Sequence, residues 1–447
     1  MYLPQAVQYC IHALESAGFE AYAVGGCVRD SLLGLTPADY DLCTNARPEE
    51  TARVFSAHQL LYHGQKHGTI GVVLDGVVYE ITTFRTEGGY DDARHPDWVN
   101  FVGSVEEDLA RRDFTVNAMA YNPRTGYVDP FRGQADLASK LLRTVGDPRA
   151  RFQEDALRIL RGARFSARFR LTPEPSTLAA MIDLAPLLDK IARERVFEEL
   201  CKLLPSATAE DLLTFTPLLT QVIPELKRSV GFEQHSPHHR YDVFTHTAHV
   251  VEAVPKVPEL RWAALLHDIG KPDAFTMDET GRGHFKGHAK FSQEQADRIL
   301  LRLKAPSALR QQVTELIGLH MTPLEPDKKL LRRRLGKLGA ERLEQLLLLQ
   351  EADMGSKGTG KPENMEQFTV LREMIAEILQ ESACFSIKDL AVNGWDLQRI
   401  GIPAGPAIGK CLQWLLGQVQ DEVLPNDRDA LLQTVTKLLE DRNKAPA

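Results

Sequence analysis

The chain has 447 residues, 43% of them hydrophobic, which suits several cores rather than one at about 100–200 residues per domain. Its 53 basic and 61 acidic residues leave a net charge of −8, which excludes a uniformly basic nucleic-acid binder and confines any RNA contact to local basic surface. No stretch approaches the roughly 20 apolar residues of a membrane helix, residues 1–18 lack the pattern of a signal peptide, and the six cysteines form no Cys-x-x-Cys pair; the expectation is a soluble, cytoplasmic, multidomain protein with no membrane partner.

Residues 4–17 read as a helix, with Val7, Cys10, Ile11 and Leu14 at helical spacing and a proline in the first turn. Residues 21–24 read as a short strand running into Gly25-Gly26. Asp39, Tyr40, Asp41 and Leu42 alternate with the period of two of a strand that has one polar face. Residues 69–74 and 77–84 are β-rich runs around Asp75-Gly76, a hairpin signal. The first third is therefore α/β with a mainly antiparallel sheet. From about Asp136 the strand signals fade into Leu-, Ala-, Glu- and Arg-rich helices, and residues 355–362, GSKGTGKP, read as a surface loop.

The first chemical constellation is Gly25-Gly26-Cys27-Val28-Arg29-Asp30 followed by Asp39-Tyr40-Asp41. Two apart on a strand, Asp39 and Asp41 point the same way. Like charges that close repel unless a cation sits between them, and oxygen-only ligands suit Mg²⁺ completed by substrate phosphates. The glycines let backbone N–H groups approach a triphosphate, and Arg29 can neutralise it. Glu80 supplies a third carboxylate if its face turns inward. A lone Asp-x-Asp is usually a solvated face and a lone Gly-Gly a turn; only the combination is specific.

That combination closely resembles the head signature of class II tRNA nucleotidyltransferases and bacterial poly(A) polymerases. The resemblance continues through Arg111-Arg112-Asp113-Phe114-Thr115-Val116-Asn117-Ala118, then Asp129-Pro130-Phe131 and Glu154-Asp155-Ala156-Leu157-Arg158. It implies an α+β fold: a polymerase-β-like nucleotidyltransferase head, followed by all-α neck, body and tail. It also implies that Asp39 and Asp41 hold the catalytic Mg²⁺, that Gly26 and Arg29 bind the triphosphate, and that Arg112 contacts the nucleotide.

Residues 154–165 read as one helix in which Asp155, Arg158, Arg161 and Arg164 recur every three residues. Each step turns by about 300°, so Asp155 and Arg158 are neighbours while Arg164 lies nearly opposite Asp155. The first two are expected to read the base, and Arg161 and Arg164 to serve phosphate or RNA. Cytosine and adenine both pair an amine donor with a ring-nitrogen acceptor, which a carboxylate and a guanidinium complement. Uracil and guanine present the reverse and leave both side chains mispaired. Without the upstream motifs, an i,i+3 surface pair would be the better reading of Asp155 and Arg158.

Gly89-Tyr90-Asp91-Asp92-Ala93-Arg94-His95-Pro96 resembles the flexible loop of CCA-adding enzymes, which CC-adding relatives lack. The basic segment usual in poly(A) polymerases is absent. The reading favours addition of CCA to tRNA from CTP and ATP, with terminal A addition or poly(A) synthesis as alternatives.

A second constellation is His246, His267-Asp268-Ile269-Gly270-Lys271, His288, His320 and Asp353. His267 and Asp268 follow an apolar helix, with Gly270 expected to close it. Imidazoles with carboxylates suit a divalent transition metal. The order resembles HD-domain phosphohydrolases, which implies His246, His267, Asp268 and Asp353 as metal ligands and His288 and His320 as extra histidines of two-metal members. HD domains fused to CCA-adding enzymes are associated with hydrolysis of cyclic or terminal phosphates. A rival from another class is an RNA-binding hydrolase without polymerase activity.

Glu194-Arg195 resembles the family's neck motif, and Asn393-Gly394-Trp395-Asp396-Leu397 its C-terminal region. Basic clusters at residues 143–170 and at Lys328-Lys329 with Arg332-Arg333-Arg334 could contact tRNA phosphates, although such runs are more often solvated faces. The expected organisation is a head at residues 1–140, a helical neck and body at 141–230, an HD domain at 231–360 and a tRNA-binding tail at 361–447. The sequence carries no sign of an oligomeric state.

Overall fold

Strand β1 (Ala21–Val24) is flanked by apolar residues on both faces, and its alternation divides the core of the first unit. Ala21 and Ala23 join one buried cluster with helix α1 (Gln5–Ser16), through Val7, Cys10, Ile11 and Leu14. Val24 joins the other with Phe84, Val105, Leu109 and Ala120. The computed structural model describes residues 1–88, 98–237, 239–358, 363–381 and 386–444. The glycine-led loop at residues 89–96 lies outside them, as does the second half, 359–362, of the run at 355–362.

The first unit comprises Met1–Lys227 and Ile299–Pro306. After α2 (Gly26–Leu32) come β2 (Leu42–Thr44), α3 (Pro48–Val54), β3 (Gln59–Leu61), β4 (Thr69–Leu74) and β5 (Val77–Thr83). β6 (Arg85–Gly88) and β7 (Trp98–Phe101) form a separate antiparallel pair. α4 (Val105–Ala110), β8 (Ala120–Asn122), β9 (Gly126–Val128) and α5 (Gly133–Ala138) complete the sheet region. The seven strands run β3-β4-β5-β2-β1-β8-β9, and only the β2–β5 pairing is parallel. The β4–β5 hairpin turns at Asp75 and Gly76, with φ of 50° and 79°, the left-handed pair of a type I′ turn. The mainly antiparallel head expected from the sequence is thus present.

The rest of this unit is largely helical: α6 (Pro148–Glu154), α7 (Leu157–Phe169), α8 (Pro175–Asp183), α9 (Arg193–Leu203), α10 (Ala209–Thr214) and α11 (Thr216–Val222). The fully buried Phe114 ring meets Phe165 of α7 edge-on at 5.8 Å, and an added Cβ at Gly162 would come within 3.1 Å of Phe114 and Met181. Glycine there lets α7 lie close to the segment that carries Arg112, Asp113 and Asn117.

The second unit, Arg228–Arg298 with Ser307–Ala447, is built almost entirely of helices. They are α12 (Val243–Ala253), α13 (Pro258–Leu266), α14 (Lys271–Ala274), α15 (His288–Arg302, of which residues 299–302 count with the first unit), α16 (Ser307–Leu319), α17 (Lys328–Leu338), α18 (Ala340–Gly355) and α19 (Glu363–Gln380), then α20 (Gly394–Arg399), α21 (Pro406–Gln420) and α22 (Arg428–Lys444). α13 packs against α12, α16 and α18 around the fully buried Trp262. Among the described residues no helix is long and apolar enough to cross a membrane.

Two local readings are corrected. Asp39 and Asp41 do not lie on a strand, because β2 begins at Leu42. They sit in the approach to it, where the Asp41 carbonyl accepts the first bond from Val24 N at 3.0 Å. Gly270 is not a left-handed helix closer, since its φ is −87°. A Cβ there would instead fall 2.5 Å from Ser292 N, so glycine is required for the close approach of α15.

Gly133 makes a comparable demand in the head, because its Cβ would lie 2.2 Å from the Thr115 carbonyl. Gly133→Ala is expected to destabilise the protein by about 1–3 kcal/mol despite alanine's better helix propensity. Urea unfolding of the variant checks this, and parental stability would mean that α5 can move away freely.

Candidate active site and a second ligand cluster

Gly25 precedes α2 with φ of 77°, a left-handed backbone that also lets the chain pass close to Arg112. A Cβ there would stand 2.7 Å from Arg112 Nη1. One helical turn on, the buried Arg29 donates from Nε and Nη2 to Asp30 Oδ1 at 2.8 and 2.6 Å. Its Nη1 donates to Asn117 Oδ1, and its guanidinium lies 4.1 Å from the Phe169 ring centroid. Burial pulls the Arg29 pKa down, and Asp30 opposes it.

Asp39 and Asp41 face the same cavity from the other side, and both reach solvent. Partial desolvation, then the neighbouring Asp39 and Glu80 carboxylates, push the Asp41 pKa up, while Arg112 pulls it down. Asp39 and Glu80 lie close enough to Asp41 to act on its charge, and with it they form an oxygen-only donor set, which fits a hard divalent cation such as Mg²⁺.

The expected continuous helix over residues 154–165 is interrupted. α6 ends at Glu154, and Asp155 takes an extended conformation, φ −141° and ψ 104°. Its carboxylate accepts from Leu157 N at 3.0 Å, so it caps the start of α7 instead of continuing α6. The helical-wheel argument that set Arg164 opposite Asp155 therefore fails, and Asp155, Arg158, Arg161 and Arg164 all line one cavity. Asp155 and Arg158 make no direct pair among the described contacts. Asp155 lies 3.5 Å from Arg195, and Arg158 bonds Glu154 at 2.7 Å and the carbonyls of Arg151 and Arg111. Arg161 pairs with Asp113 at 2.6 Å and Arg164 with Glu199 at 2.8 Å, both against buried carboxylates.

This cavity, about 490 Å³, also admits Gly26, Arg29 and Arg112. Eight arginines and four aspartates line it, a local excess of positive charge within a chain of net −8. A site of that composition attracts polyanions. The cluster at Lys328 to Arg334 behaves differently. Arg332 is buried between Glu381 at 2.7 Å and Glu422 at 2.5 Å, while Arg333 pairs with Asp421 and Lys328 with Glu377 and Glu381. Three of its five cations are thus paired with carboxylates of the second unit.

Asp113 and Asn117 stood inside a recognised motif, but their spacing of four carried no role in the sequence. In the fold, Asp113 accepts from Arg161, from Asn117 Nδ2 at 3.1 Å and from Phe114 N at 2.9 Å. Burial would raise its pKa, but Arg161 and Arg158 outweigh that and hold the carboxyl well below the usual range. A carboxyl depressed in the folded state stabilises above its unfolded value, near pH 4, and loses that contribution as pH falls further. Asp113→Asn is expected to lose about 3 kcal/mol at pH 7. The gap from the parent should narrow as pH drops below about 4, measured by denaturant unfolding across pH.

The second constellation also converges. His246 Nε2 lies 3.0 Å from Asp353 Oδ1 and 3.6 Å from Asp268 Oδ2, and His267 Nε2 lies 3.2 Å from Asp268 Oδ2. On the other oxygen, Asp268 Oδ1 stands 3.2 Å from His288 Nε2 and 3.8 Å from His320 Nε2. Every one of these imidazoles places Nδ1 against a backbone carbonyl: Ser356, Ala264, Phe285 and Ile317, at 2.6 to 3.3 Å. With Nδ1 donating, four Nε2 lone pairs and two carboxylates face one small buried volume. His267 Nε2 has no hydrogen-bond partner there among the described residues, and His288 and His320 bring Nε2 atoms within 3.1 Å. Burial lowers the His320 pKa to about 4, which favours the neutral imidazole a metal needs. This donor set fits a divalent transition metal. Lys271, which the sequence places in this constellation without a role, lies with its Nζ 2.6 Å from Asp268 Oδ2.

Three family models match the chain. "Poly A polymerase head domain" covers residues 21–143, "Probable RNA and SrmB- binding site of polymerase A" 170–229, and "tRNA nucleotidyltransferase domain 2 putative" 284–435. The CCA-adding enzyme of Levilactobacillus brevis is 35% identical over 430 residues, covering 95% of this chain and 96% of that protein. The CCA-adding enzyme of Leuconostoc mesenteroides is 34% identical with 99% of both chains covered. Among solved structures, the Bacillus stearothermophilus CCA-adding enzyme in complex with CTP superposes with a TM-score of 0.74 at 28% identity, over 99% of this chain and 100% of that one. End-to-end similarity of this kind, over a nucleotidyltransferase head and its cationic cavity, places the chain in the family of CCA-adding enzymes.

Proposed function

We propose that the chain adds cytidine, cytidine and adenosine to the 3′ end of tRNA, using CTP and ATP and no nucleic-acid template. The observation that carries this reading is one cavity where paired carboxylates, a glycine turn, eight arginines and Asp155 converge. In it the tRNA 3′-oxygen attacks the α-phosphorus, the bond to the bridging oxygen breaks, and pyrophosphate leaves. Asp39 and Asp41 would hold Mg²⁺, which when bound acidifies the attacking hydroxyl and neutralises phosphate charge. Arg29 and Arg112, with the N–H groups beside Gly26, orient the triphosphate. Asp155 accepts from the exocyclic amine of C or A, and Arg158 donates to the adjacent ring nitrogen. Arg161 and Arg164 border the nucleotide while anchored to Asp113 and Glu199. The cytoplasm would supply such substrates. Relatives named for CCA addition favour the full triplet over terminal A addition or poly(A) synthesis.

The test incubates the protein and Mg²⁺ with a tRNA transcript lacking CCA, supplying CTP and ATP singly and together. Three additions ending in A are expected, and Asp39→Ala or Asp41→Ala should reduce them at least about 10³-fold without loss of thermal stability. Near-parental turnover in both variants would sink the assignment, and a ladder of A would replace it with poly(A) synthesis.

A second reading concerns residues 231–360, and the convergence of four Nε2 atoms on Asp268 and Asp353 favours it. This region is an HD-type metal centre with phosphohydrolase chemistry, whose Asp268, His288 and Asp353 line a cavity of about 410 Å³ together with Lys271, Arg282, Lys286 and Lys357. Purified protein should retain one or two equivalents of a divalent transition metal. Asp268→Ala should lose them while CCA addition with Mg²⁺ persists. Elemental analysis that finds no metal after reconstitution with Mn²⁺, Ni²⁺ or Zn²⁺ would end this reading.

A further inference from the structure

We infer that Asn117 is a positioning residue that locks the triphosphate-facing arginine, Arg29, to the base-selecting helix α7. The inference rests on the reading that Arg29 grips the triphosphate. Asn117 is buried, borders the cavity, and is the middle link of a hydrogen-bonded chain. Arg161 of α7 donates to Asp113 Oδ2 from Nε at 2.8 Å, and Asp113 Oδ1 accepts from Asn117 Nδ2 at 3.1 Å. The Asn117 carbonyl oxygen then accepts from Arg29 Nη1.

A primary amide suits this place, because the side chain must accept from a cation on one side and donate to an anion on the other. Rotating the amide by half a turn would aim its NH₂ at the guanidinium and its oxygen at the carboxylate. Both errors are costly in a buried site, so the orientation is fixed. Arg29 is thereby held in the plane by Asp30 and Asn117 and from one face by Phe169. Three of its five N–H groups are committed to those partners, which leaves two for phosphate oxygens. Without Asn117 the guanidinium keeps its charge but loses its fixed direction. The expected effect therefore falls on triphosphate affinity, common to CTP and ATP, and leaves the choice of base intact.

The experiment compares Asn117→Leu, Asn117→Ala, Arg29→Ala and the Arg29→Ala/Asn117→Leu double variant with the parent. It measures KM for CTP and ATP, kcat, KM for tRNA, and inhibition by inorganic tripolyphosphate. Both Asn117 variants should raise the two nucleotide KM values and the tripolyphosphate inhibition constant about tenfold, with kcat within about threefold. The tRNA KM and the exclusion of UTP should not move, and the double variant should bind tripolyphosphate no more weakly than Arg29→Ala. Asn117→Ala removes both hydrogen bonds without adding bulk or charge and decides the matter if Asn117→Leu folds poorly. A parental tripolyphosphate constant in the folded Asn117 variants overturns the inference. A parental constant in Arg29→Ala overturns instead the reading of Arg29 on which it rests.

Discussion

The cavity of the first unit depends on the buried ion pair between Asp113 and Arg161. A carboxylate taken out of water costs several kcal/mol, which only close, multiple donors offset. Asp113 accepts three hydrogen bonds, from Arg161 Nε, the Asn117 amide and the Phe114 backbone N–H, and Arg161 Nη2 stands 2.6 Å from it. Its neighbours are therefore fixed in direction as well as distance. The same short segment carries Arg112 toward Gly25 and Phe114 into the contact with α7. A nucleotide site needs its phosphate ligands and base ligands in constant relative position, and this pair joins the elements that bear them.

The pairing also explains how a chain of net negative charge concentrates eight arginines around one cavity. Left unpaired, clustered guanidinium groups repel, and each would lower its neighbours' affinity for protons. Here Arg161 and Arg164 each face a buried acid, Arg29 faces Asp30, and Arg111 and Arg112 flank the buried Asp108. Arg29 spends three of its five N–H groups on such partners and keeps two for a ligand. The charge is directed rather than cancelled. By contrast, the buried Arg332 of the second unit has its two terminal nitrogens against Glu381 and Glu422. Runs of basic residues look alike in sequence, and their partners decide which ones remain available to a phosphate.

Local signals carried much of the fold. Asp75-Gly76 dictated a type I′ hairpin because two consecutive positive φ values admit few other residues. The spacing of Val7, Cys10, Ile11 and Leu14 gave α1 because its buried face is continuous. Where the reading failed, a side chain had redirected the backbone. Asp155 has a helical neighbour on each side, yet its carboxylate is better placed capping α7 than pointing from an unbroken helix. Periodicity cannot register that choice, since both outcomes preserve the apolar face. Gly270 shows a related limit, because the reason for its glycine is α15, which approaches from more than 20 residues away. The roles of Asp113 and Asn117 likewise require tertiary pairing with α7 and Arg29, which no local pattern encodes.

The two ligand clusters differ in a way that bears on what each can do. The Asp39 and Asp41 pair is open to water and consists of oxygens, suited to a cation that keeps exchangeable water and shares substrate phosphates. A reaction whose nucleophile is the substrate's own hydroxyl needs no more than that. The second cluster is buried and rich in imidazole, and each ring is pinned through Nδ1 to a carbonyl, so ligand directions are set before any metal arrives. Preset imidazoles suit a more tightly held ion that acidifies a bound water, which hydrolysis requires and polymerisation does not. Competition for one metal pool would therefore be weak, because ligand chemistry sorts Mg²⁺ to the carboxylates and transition metals to the histidines. On the proposed reading, one chain can carry a polymerising and a hydrolytic centre without either poisoning the other, each selecting its cation by the atoms that line it.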